Sequence, residues 1–334
     1  MKKLTIAAAM TLFAAGAYAS NFRGADQVYV PAAGHFAGAA GTFISDVYIS
    51  NLDDEPVTVT VIYQPSTPNP ASPLGTEFRD VISLRPFERK QFLDFFPNAL
   101  NLQGNHFGQL IFNACRTGQN CGEATQDQDG YSVHFRPISV ESRIYQVLNG
   151  RPNETTGQLF SGLPWYSVVS ELQNNVGLDK VFITGITNTG AVGQAGTFRT
   201  NIGVTNASEF SRTTLVIRLY QETMDNFKGE KQIRLEPLAS AQQGLTAMFP
   251  NLPLGSNYFV TVEQRESTPV GNVPTSCGDR GCPAFLAYGS VLDNVTGDAT
   301  TLEPQFMKEL SSEVLDELYP ASAGKRPVRR AVNH

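Results

Sequence analysis

Residues Gly41–Asn51 read GTFISDVYISN, and residues Gly196–Asn206 read GTFRTNIGVTN. The second stretch lies 155 positions after the first. In the first copy Phe43–Ile49 is typical of a β-strand, and the Asn that ends both copies is a residue type that opens turns. The sequence therefore predicts one structural unit that occurs twice.

Further landmarks follow each copy in the same order, and the separations between them change only in loops. The matched pairs are Tyr63-Gln64 with Tyr220-Gln221, Leu84-Arg85-Pro86 with Leu235-Glu236-Pro237, Phe96-Pro97-Asn98 with Phe249-Pro250-Asn251, and Ser139–Leu148 with Ala284–Leu292. We interpret the chain of 334 residues as an internal duplication. Each copy is long enough to close a hydrophobic core of its own.

The strand pattern predicts an all-β fold. Val57–Tyr63 is the clearest strand, because its odd-numbered residues are apolar and Thr58 and Thr60 face the other way. Ile62 breaks this polar face. Short strands at close spacing, with turn residues between them, favour β-sandwiches. We predict two tandem antiparallel β-sandwich (Ig-like) domains and a short C-terminal helix.

The predicted boundaries follow from composition and from turn signals. They are 1–19 signal peptide, 20–27 lead-in, 28–164 first β-sandwich repeat, 165–180 linker, 181–304 second repeat, and 305–334 C-terminal helix and basic tail. Within the linker, Tyr166–Asn174 has the composition of a helical turn. The C-terminal helix is predicted from Pro304 to Tyr319, because apolar residues recur there every three or four positions. A Gly/Ala-rich loop is predicted for residues 32–41.

The first residues predict export. Lys2 and Lys3 precede a short apolar run, and an A-x-A site places cleavage between Ala19 and Ser20. The expected location is the periplasm, the cell surface or the extracellular medium, and no run is long enough to predict a transmembrane segment. Without the leader, 23 basic residues face 31 acidic ones, which disfavours a nucleic-acid partner.

Four cysteines form two close pairs, Cys115 with Cys121 and Cys277 with Cys282. An even number of cysteines in an exported chain favours disulfides, and each pair is predicted to close a short loop between two late strands. Pairing between the repeats stays open as an alternative. Zinc is the rival interpretation, but it needs four ligands and no His lies near either pair.

Other candidate sites are weak. Asp127 and Asp129, with Glu123 nearby, resemble the start of a calcium loop, but Ile138 stands where an EF-hand has its Glu. The four histidines lie in no metal or catalytic motif. No nucleophile elbow, P-loop or dinucleotide fingerprint is present, and no cofactor is predicted. The two copies share turn, strand and core residue types, so we predict no catalytic residues and no enzyme activity.

The repeats resemble the Ig-like β-sandwich repeats of secreted proteins from environmental bacteria. The resemblance rests on GTFRTNIGVTN, on the L-x-P turn and on YGSVLDNVTGD at Tyr288–Asp298. The first repeat departs from this pattern at Ile44–Asp46 and in its ending, Glu141–Gly150. The resemblance covers about 260 residues. It implies a fold and no assigned activity, so it assigns no functional residues.

These observations favour a non-catalytic exported structural, adhesion or binding protein with an unknown protein or glycan partner. One alternative is an exported carbohydrate-active or hydrolytic protein whose site the sequence does not reveal. A second is a pilus-type periplasmic chaperone. The chaperone would have an exposed strand edge and a basic anchor in the cleft between two dissimilar domains.

Overall fold

A computed structural model describes residues 24–37, 41–66, 78–118, 136–147, 155–164, 169–170, 180–209, 211–270 and 284–306. Within these ranges the regular structure is almost entirely antiparallel β-sheet, with two single-turn helices. Neither of these helices has the length and apolar character that crossing a membrane requires. The all-β fold predicted from the sequence is confirmed.

The described part of the first half forms two connected layers. Its elements are β1 (Gln27–Ala37), β2 (Thr42–Asn51), β3 (Val57–Pro65), β4 (Phe78–Leu84), β5 (Arg89–Phe92), α1 (Phe95–Asn98), β6 (His106–Arg116), β7 (Ile138–Val147), β8 (Thr155–Ser161) and β9 (Leu163–Pro164). The order β4-β3-β6-β1-β9 forms the first inner layer, and β5-β2-β7-β8 forms the first outer layer. The end of β1 joins the layers, because Phe36 pairs with Phe43 of β2.

The described part of the second half also has two layers. Its elements are β10 (Val169–Ser170), β11 (Lys180–Asn188), β12 (Phe198–Asn206), β13 (Ser211–Gln221), β14 (Thr223–Leu235), β15 (Ser240–Gly244), α2 (Leu245–Met248), β16 (Gly255–Pro269), β17 (Ala284–Asp293), β18 (Ala299–Leu302) and β19 (Gln305–Phe306). The second inner layer is β15-β12-β17, with β10 and β18 paired to β17. The second outer layer is β14-β13-β16-β11-β19.

The strand pairings of the two halves correspond. The ladders β4-β3-β6-β1-β9 recur as β14-β13-β16-β11-β19, and β5-β2-β7-β8 recur as β15-β12-β17-β18. We call two residues register-equivalent when they hold the same place in these ladders. By this measure the first inner layer corresponds to the second outer layer, and the first outer layer corresponds to the second inner layer.

Each half buries apolar side chains between its layers. In β3, Val57, Val59 and Val61 are fully buried and face the first outer layer, because side chains alternate along a strand. In β13, Leu215, Ile217 and Leu219 do the same in the second half. These two clusters are the cores of the two halves.

A third apolar cluster lies where the two inner layers meet. It contains Tyr29, Ile62, Ile111 and Leu163 of the first half and Ala207, Leu238, Ala284 and Leu286 of the second. Ile62 is 1% exposed, although it points away from the core of its own half. The break in the polar face of β3 therefore has a physical cause, because this face is covered by the second half.

Several local predictions were wrong. Residues 32–37 continue β1 instead of forming a loop, since Ala33, Gly34 and His35 pair with β6 after a register shift. Val169 and Ser170 pair with β17, so the predicted helical turn does not form there. Gln305 and Phe306 pair with β11, so the predicted C-terminal helix does not include them. Residues 307–334 lie outside the described ranges.

The match of Tyr63 with Tyr220 was wrong by one residue. Tyr63 pairs with Leu110 on the core face, and its register-equivalent is Leu219, which pairs with Val260 in the second core. Tyr220 instead lies on the outward face of the second outer layer, where its ring stacks on Phe259. The two tyrosines were matched because each is followed by Gln. Side chains alternate along a strand, so a shift of one residue places Tyr63 on the core face and Tyr220 on the outward face.

Candidate binding groove between the two halves

A groove of about 510 Å³ opens where the two halves meet, beside the third apolar cluster. The first half contributes the end of β1, residues 105–107 and Ser66, and the second half contributes β15. A smaller recess of about 70 Å³ shares Phe36, Phe107 and Gln242 with the groove and extends it between the halves. Pockets of this combined size accommodate small ligands or short oligomers.

Phenyl rings form one wall of the groove and of the recess. Phe36 stacks on Phe43 with ring centroids 5.0 Å apart, and Phe107 meets Phe36 edge-on at 5.5 Å. Gly34 makes room for this arrangement, because a Cβ there would lie 2.6 Å from the carbonyl oxygen of His106 and 2.9 Å from the ring of Phe36. The rings are partly exposed, so they offer an apolar surface to a ligand.

Side-chain amides form the opposite wall. The Tyr288 hydroxyl donates to Oε1 of Gln242 at 2.7 Å, which orients this amide and leaves its NH₂ group for other partners. Burial raises the pKa of Tyr288 well above its usual range, so the phenol remains a hydrogen-bond donor at neutral pH. Gln243 lies next to Gln242 on the groove wall, and its side chain makes no hydrogen bond to any of the described residues.

The first half adds three polar side chains. Oδ1 of Asn105 accepts the backbone N–H of Ala37 at 2.9 Å, which leaves the Asn105 NH₂ group free to donate. Nε2 of His106 lies 2.9 Å from a backbone carbonyl, and its ring stacks on Phe96. The Ser66 hydroxyl donates to the Ser240 carbonyl at 3.0 Å and so ties the halves together at the groove.

A group of ionisable side chains lies elsewhere, at the first outer layer. Nδ1 of His35 is 2.8 Å from Oδ1 of Asp94, whose backbone N–H donates to Oδ1 of Asp46 at 2.9 Å. The Tyr145 hydroxyl also donates to Asp46, at 3.2 Å. Burial, followed by the charge of Asp46, raises the pKa of Tyr145 to about 12. These groups bind one another and do not line the groove, so their arrangement favours a structural role.

The predicted site residues fall mostly outside the described ranges. Cys115 lies near the end of β6 and is 2% exposed, so it belongs to a strand and not to the predicted loop. The other predicted residues are not described, namely Ala19, Ser20, Cys121, Glu123, Asp127, Asp129, Cys277 and Cys282. The disulfides and the calcium site therefore remain predictions. Among the described residues, no three His, Cys, Asp or Glu side chains are arranged to hold a metal ion.

Comparisons with known proteins add no family. No protein-family model and no curated protein sequence matches the chain. Among solved structures, the chain is similar to Bacteroides uniformis β-glucuronidase 2 covalently bound to cyclophellitol-6-carboxylate aziridine, with 10% identity and a TM-score of 0.15. The match covers 85% of this chain and 26% of that one. A likeness this weak supports no conclusion about fold or activity.

No motif in the sequence predicted the groove. Phe36 and Ala37 were assigned to a loop, and Gln242 and Gln243 stood out in no motif. One signal was present in β15, where two adjacent glutamines, Gln242 and Gln243, directly follow the buried residues Ser240 and Ala241. That signal does not identify a groove, since the groove forms only when residues from both halves come together.

Proposed function

We propose that the chain is a non-catalytic exported binding or adhesion protein of two β-sandwich modules, and that the groove between them binds a neutral glycan. The observation that carries this proposal is the composition of the groove. Its described lining combines phenyl rings with amide, imidazole and hydroxyl groups, and includes no Lys, Arg, Asp or Glu. Neutral hydroxyl-rich ligands match such a surface, because amides both donate and accept hydrogen bonds.

Duplication is the origin we propose for the two modules. The correspondence of the strand ladders supports it, as do matched backbone hydrogen bonds around Asn51 and Asn206. The backbone N–H of Asn51 donates to the Glu88 carbonyl at 2.9 Å, and that of Asn206 donates to the Ala239 carbonyl at 2.8 Å. Both residues end strands that hold the same place in their layers.

The free donors on the groove wall favour a saccharide over an ionic ligand. Gln243 and the NH₂ groups of Gln242 and Asn105 are not used within the described structure, and they lie on both sides of the phenyl rings. An anionic ligand would be expected to have a basic residue at hand. The pilus-type chaperone has the same requirement, and the described groove lining provides no basic anchor.

The test is binding of neutral oligosaccharides, measured by isothermal titration calorimetry. Gluco-, manno- and xylo-oligosaccharides would be compared with oligosaccharides of uronic acids and with flexible peptides. The Gln243→Ala variant should lose at least about tenfold in affinity, because the ligand loses a hydrogen bond in a partly buried site. Its folding stability should change little, since the Gln243 side chain makes no hydrogen bond to the part of the chain that the structure describes.

Gln232→Ala is the matched control, because Gln232 is an exposed glutamine on β14, outside the groove lining. Its affinity should equal that of the unchanged chain. Binding of peptides or uronic acids alone would overturn the glycan assignment while leaving the groove as a ligand site. Equal losses in Gln243→Ala and Gln232→Ala would overturn the assignment of the site to the groove.

A further inference from the structure

The recess beside the groove has a lining of its own, to which both halves contribute. It shares Phe36, Phe107 and Gln242 with the groove, so it opens at the phenyl wall. Its volume is about 70 Å³, against about 510 Å³ for the groove. One buried water needs roughly 10–15 Å³ of such space, so the recess has room for about five waters. This size suits a substituent of a ligand that is held in the larger groove.

Part of the recess lining is apolar and buried. Ala32, Ile144 and Phe160 of the first half line it together with Leu292 of the second, and none of the four is more than 9% exposed. Such a surface favours a methyl group, because contact removes apolar area from water. A hydroxyl group placed against it would lose its hydrogen bonds to water.

Two amides of the lining are oriented by hydroxyl groups of a single strand. Tyr288 and Ser290 lie two residues apart on β17, so their side chains share a face. The Tyr288 hydroxyl donates to Oε1 of Gln242 at 2.7 Å, and the Ser290 hydroxyl donates to Oε1 of Gln158 at 2.9 Å. Both amide oxygens are thereby engaged. The two NH₂ groups make no hydrogen bond to the described residues and stay available as donors.

Asn201 adds an amide that can accept as well as donate. It pairs directly with Ser290 across β12 and β17, so the two side chains lie on the same face of the second inner layer. The Asn201 side chain is half-buried and makes no hydrogen bond within the described ranges. It therefore offers the recess an acceptor, which complements the two glutamine donors.

From this lining we infer that the recess receives an acetamido group, so that the glycan in the groove contains an N-acetylhexosamine. This assignment rests on the proposed glycan binding of the groove. An acetamido group joins a methyl group to an amide. Its methyl group fits the buried apolar part of the lining, its carbonyl accepts from Gln158 or Gln242, and its N–H donates to Oδ1 of Asn201.

Other common sugar substituents match the recess less well. A hydroxymethyl group has no apolar end for the buried side chains, and a bare methyl group would leave the amides without partners. An amine or a carboxylate would need an opposite charge nearby, and the described lining contains no Lys, Arg, Asp or Glu. The acetamido group satisfies both the apolar and the amide parts of the lining.

Isothermal titration calorimetry with two matched trisaccharides tests the inference. N-acetylated chitotriose and cellotriose have the same linkage and differ in the acetamido groups that replace hydroxyls. Chitotriose should bind at least about tenfold more tightly, because only its substituent reaches the donors and the acceptor of the recess. Equal affinities, a preference for cellotriose, or binding confined to manno- or xylo-oligosaccharides would overturn the acetamido assignment and leave the groove as a neutral glycan site. Binding of no neutral oligosaccharide would overturn the proposed function as well.

Ala299→Leu tests where the acetamido group lies. Ala299 of β18 lines the recess and is only partly buried, so a leucine can replace it while narrowing the recess. The affinity for chitotriose should fall at least about tenfold, and the affinity for cellotriose should be retained. Thr300→Leu is the matched control, because it adds the same side chain at an exposed neighbouring position outside the lining. A preference for chitotriose that survives Ala299→Leu would overturn the assignment to the recess.

Asn201→Ala removes the proposed acceptor without filling the recess. The thermal stability should change little, because the Asn201 side chain makes no hydrogen bond to the described part of the chain. The ratio of the chitotriose affinity to the cellotriose affinity should fall about fivefold, the effect of one lost hydrogen bond. The ratio also separates a lost contact from a general weakening of the fold, which would reduce both affinities. A ratio equal to that of the unchanged chain would contradict the inference.

Discussion

At the scale of single residues, Asn51 and Asn206 organise the turns that follow β2 and β12. The Asn206 side chain donates to the Ser211 and Glu236 carbonyls at 2.7 and 2.9 Å and accepts the Ser208 N–H at 3.0 Å. Asn51 makes the corresponding bonds with Glu55, Arg85 and Asp53. The Asx-turn role predicted from the sequence is confirmed for both, and their side chains also tie the turn to the next strand.

Asn206→Ala should destabilise the fold by about 3 kcal/mol, because it leaves buried carbonyls and an N–H without their partner. Asn206 is fully buried, which excludes water as a replacement. Urea denaturation measures the free energy of unfolding. Asn98→Ala is the control, since exposed Asn98 makes one side-chain bond, to Leu93, and its loss should cost less than about 0.5 kcal/mol. Equal costs for the two variants would contradict the role given to Asn206.

At the scale of strands, the sequence predicted elements well where buried apolar residues alternate with more polar ones. Val57–Tyr63 alternates clearly and forms β3, with bounds that differ only at its end. β1 was cut short because its second part, AAGHFA, has no alternation and contains a glycine. The structure shows the cause, since a register shift between Val30 and Ala33 changes the facing of the strand. A bulge of this kind leaves no periodic signal.

The contact between β12 and β17 depends on a glycine. A Cβ on Gly203 would lie 2.0 Å from Cζ of Tyr288. The tyrosine cannot move aside freely, because it is 4% exposed, bound to Gln242 and packed edge-on against Phe160 at 5.2 Å. This ring links β17 to the first half, so the glycine preserves a contact between the halves as well as between two strands.

Gly203→Ala should therefore cost about 1–3 kcal/mol through overpacking. Gly244→Ala in the adjacent β15 should be nearly neutral, since the nearest atom to its Cβ is 3.5 Å away. Adding Tyr288→Leu to Gly203→Ala should recover part of the loss, which a double-mutant cycle in chemical denaturation measures. Additive costs for the two substitutions would show that the ring and the glycine do not constrain each other.

At the scale of the whole molecule, corresponding faces of the first inner layer and the second outer layer have opposite chemistry. Ile62 and Ile111 of the first inner layer are register-equivalent to Arg218 and Thr261 of the second outer layer. The apolar pair packs against the second half, whereas Arg218 forms ion pairs with Glu230 and Glu263 within its own layer. Once the strand registers are known, the sequence shows which of the two faces is apolar. Ile62 was the first sign of it, because it breaks the polar face formed by Thr58 and Thr60.

The sequence could not predict the groove for a related reason. Phe36, Asn105 and Gln243 are distant in sequence, and no short motif connects them. They become neighbours only because the third apolar cluster fixes one half against the other. Sequence periodicity predicts the layers within each half, whereas the contact between halves depends on residues that look like exceptions to that periodicity.

A substitution at Ile62 tests this contact directly. Ile62→Arg places in the first half the residue that its register-equivalent has in the second. Ile62 is 1% exposed, so a buried, unpaired charge there should destabilise the packing of the halves by about 3–5 kcal/mol. Because each half has its own core, differential scanning calorimetry should show two transitions in place of one. Arg218→Ile, at a partly exposed position where the guanidinium pairs with Glu230 and Glu263, should change stability by less than about 1 kcal/mol. A single, unshifted transition for Ile62→Arg would mean that the third apolar cluster does not join the halves into one cooperative unit.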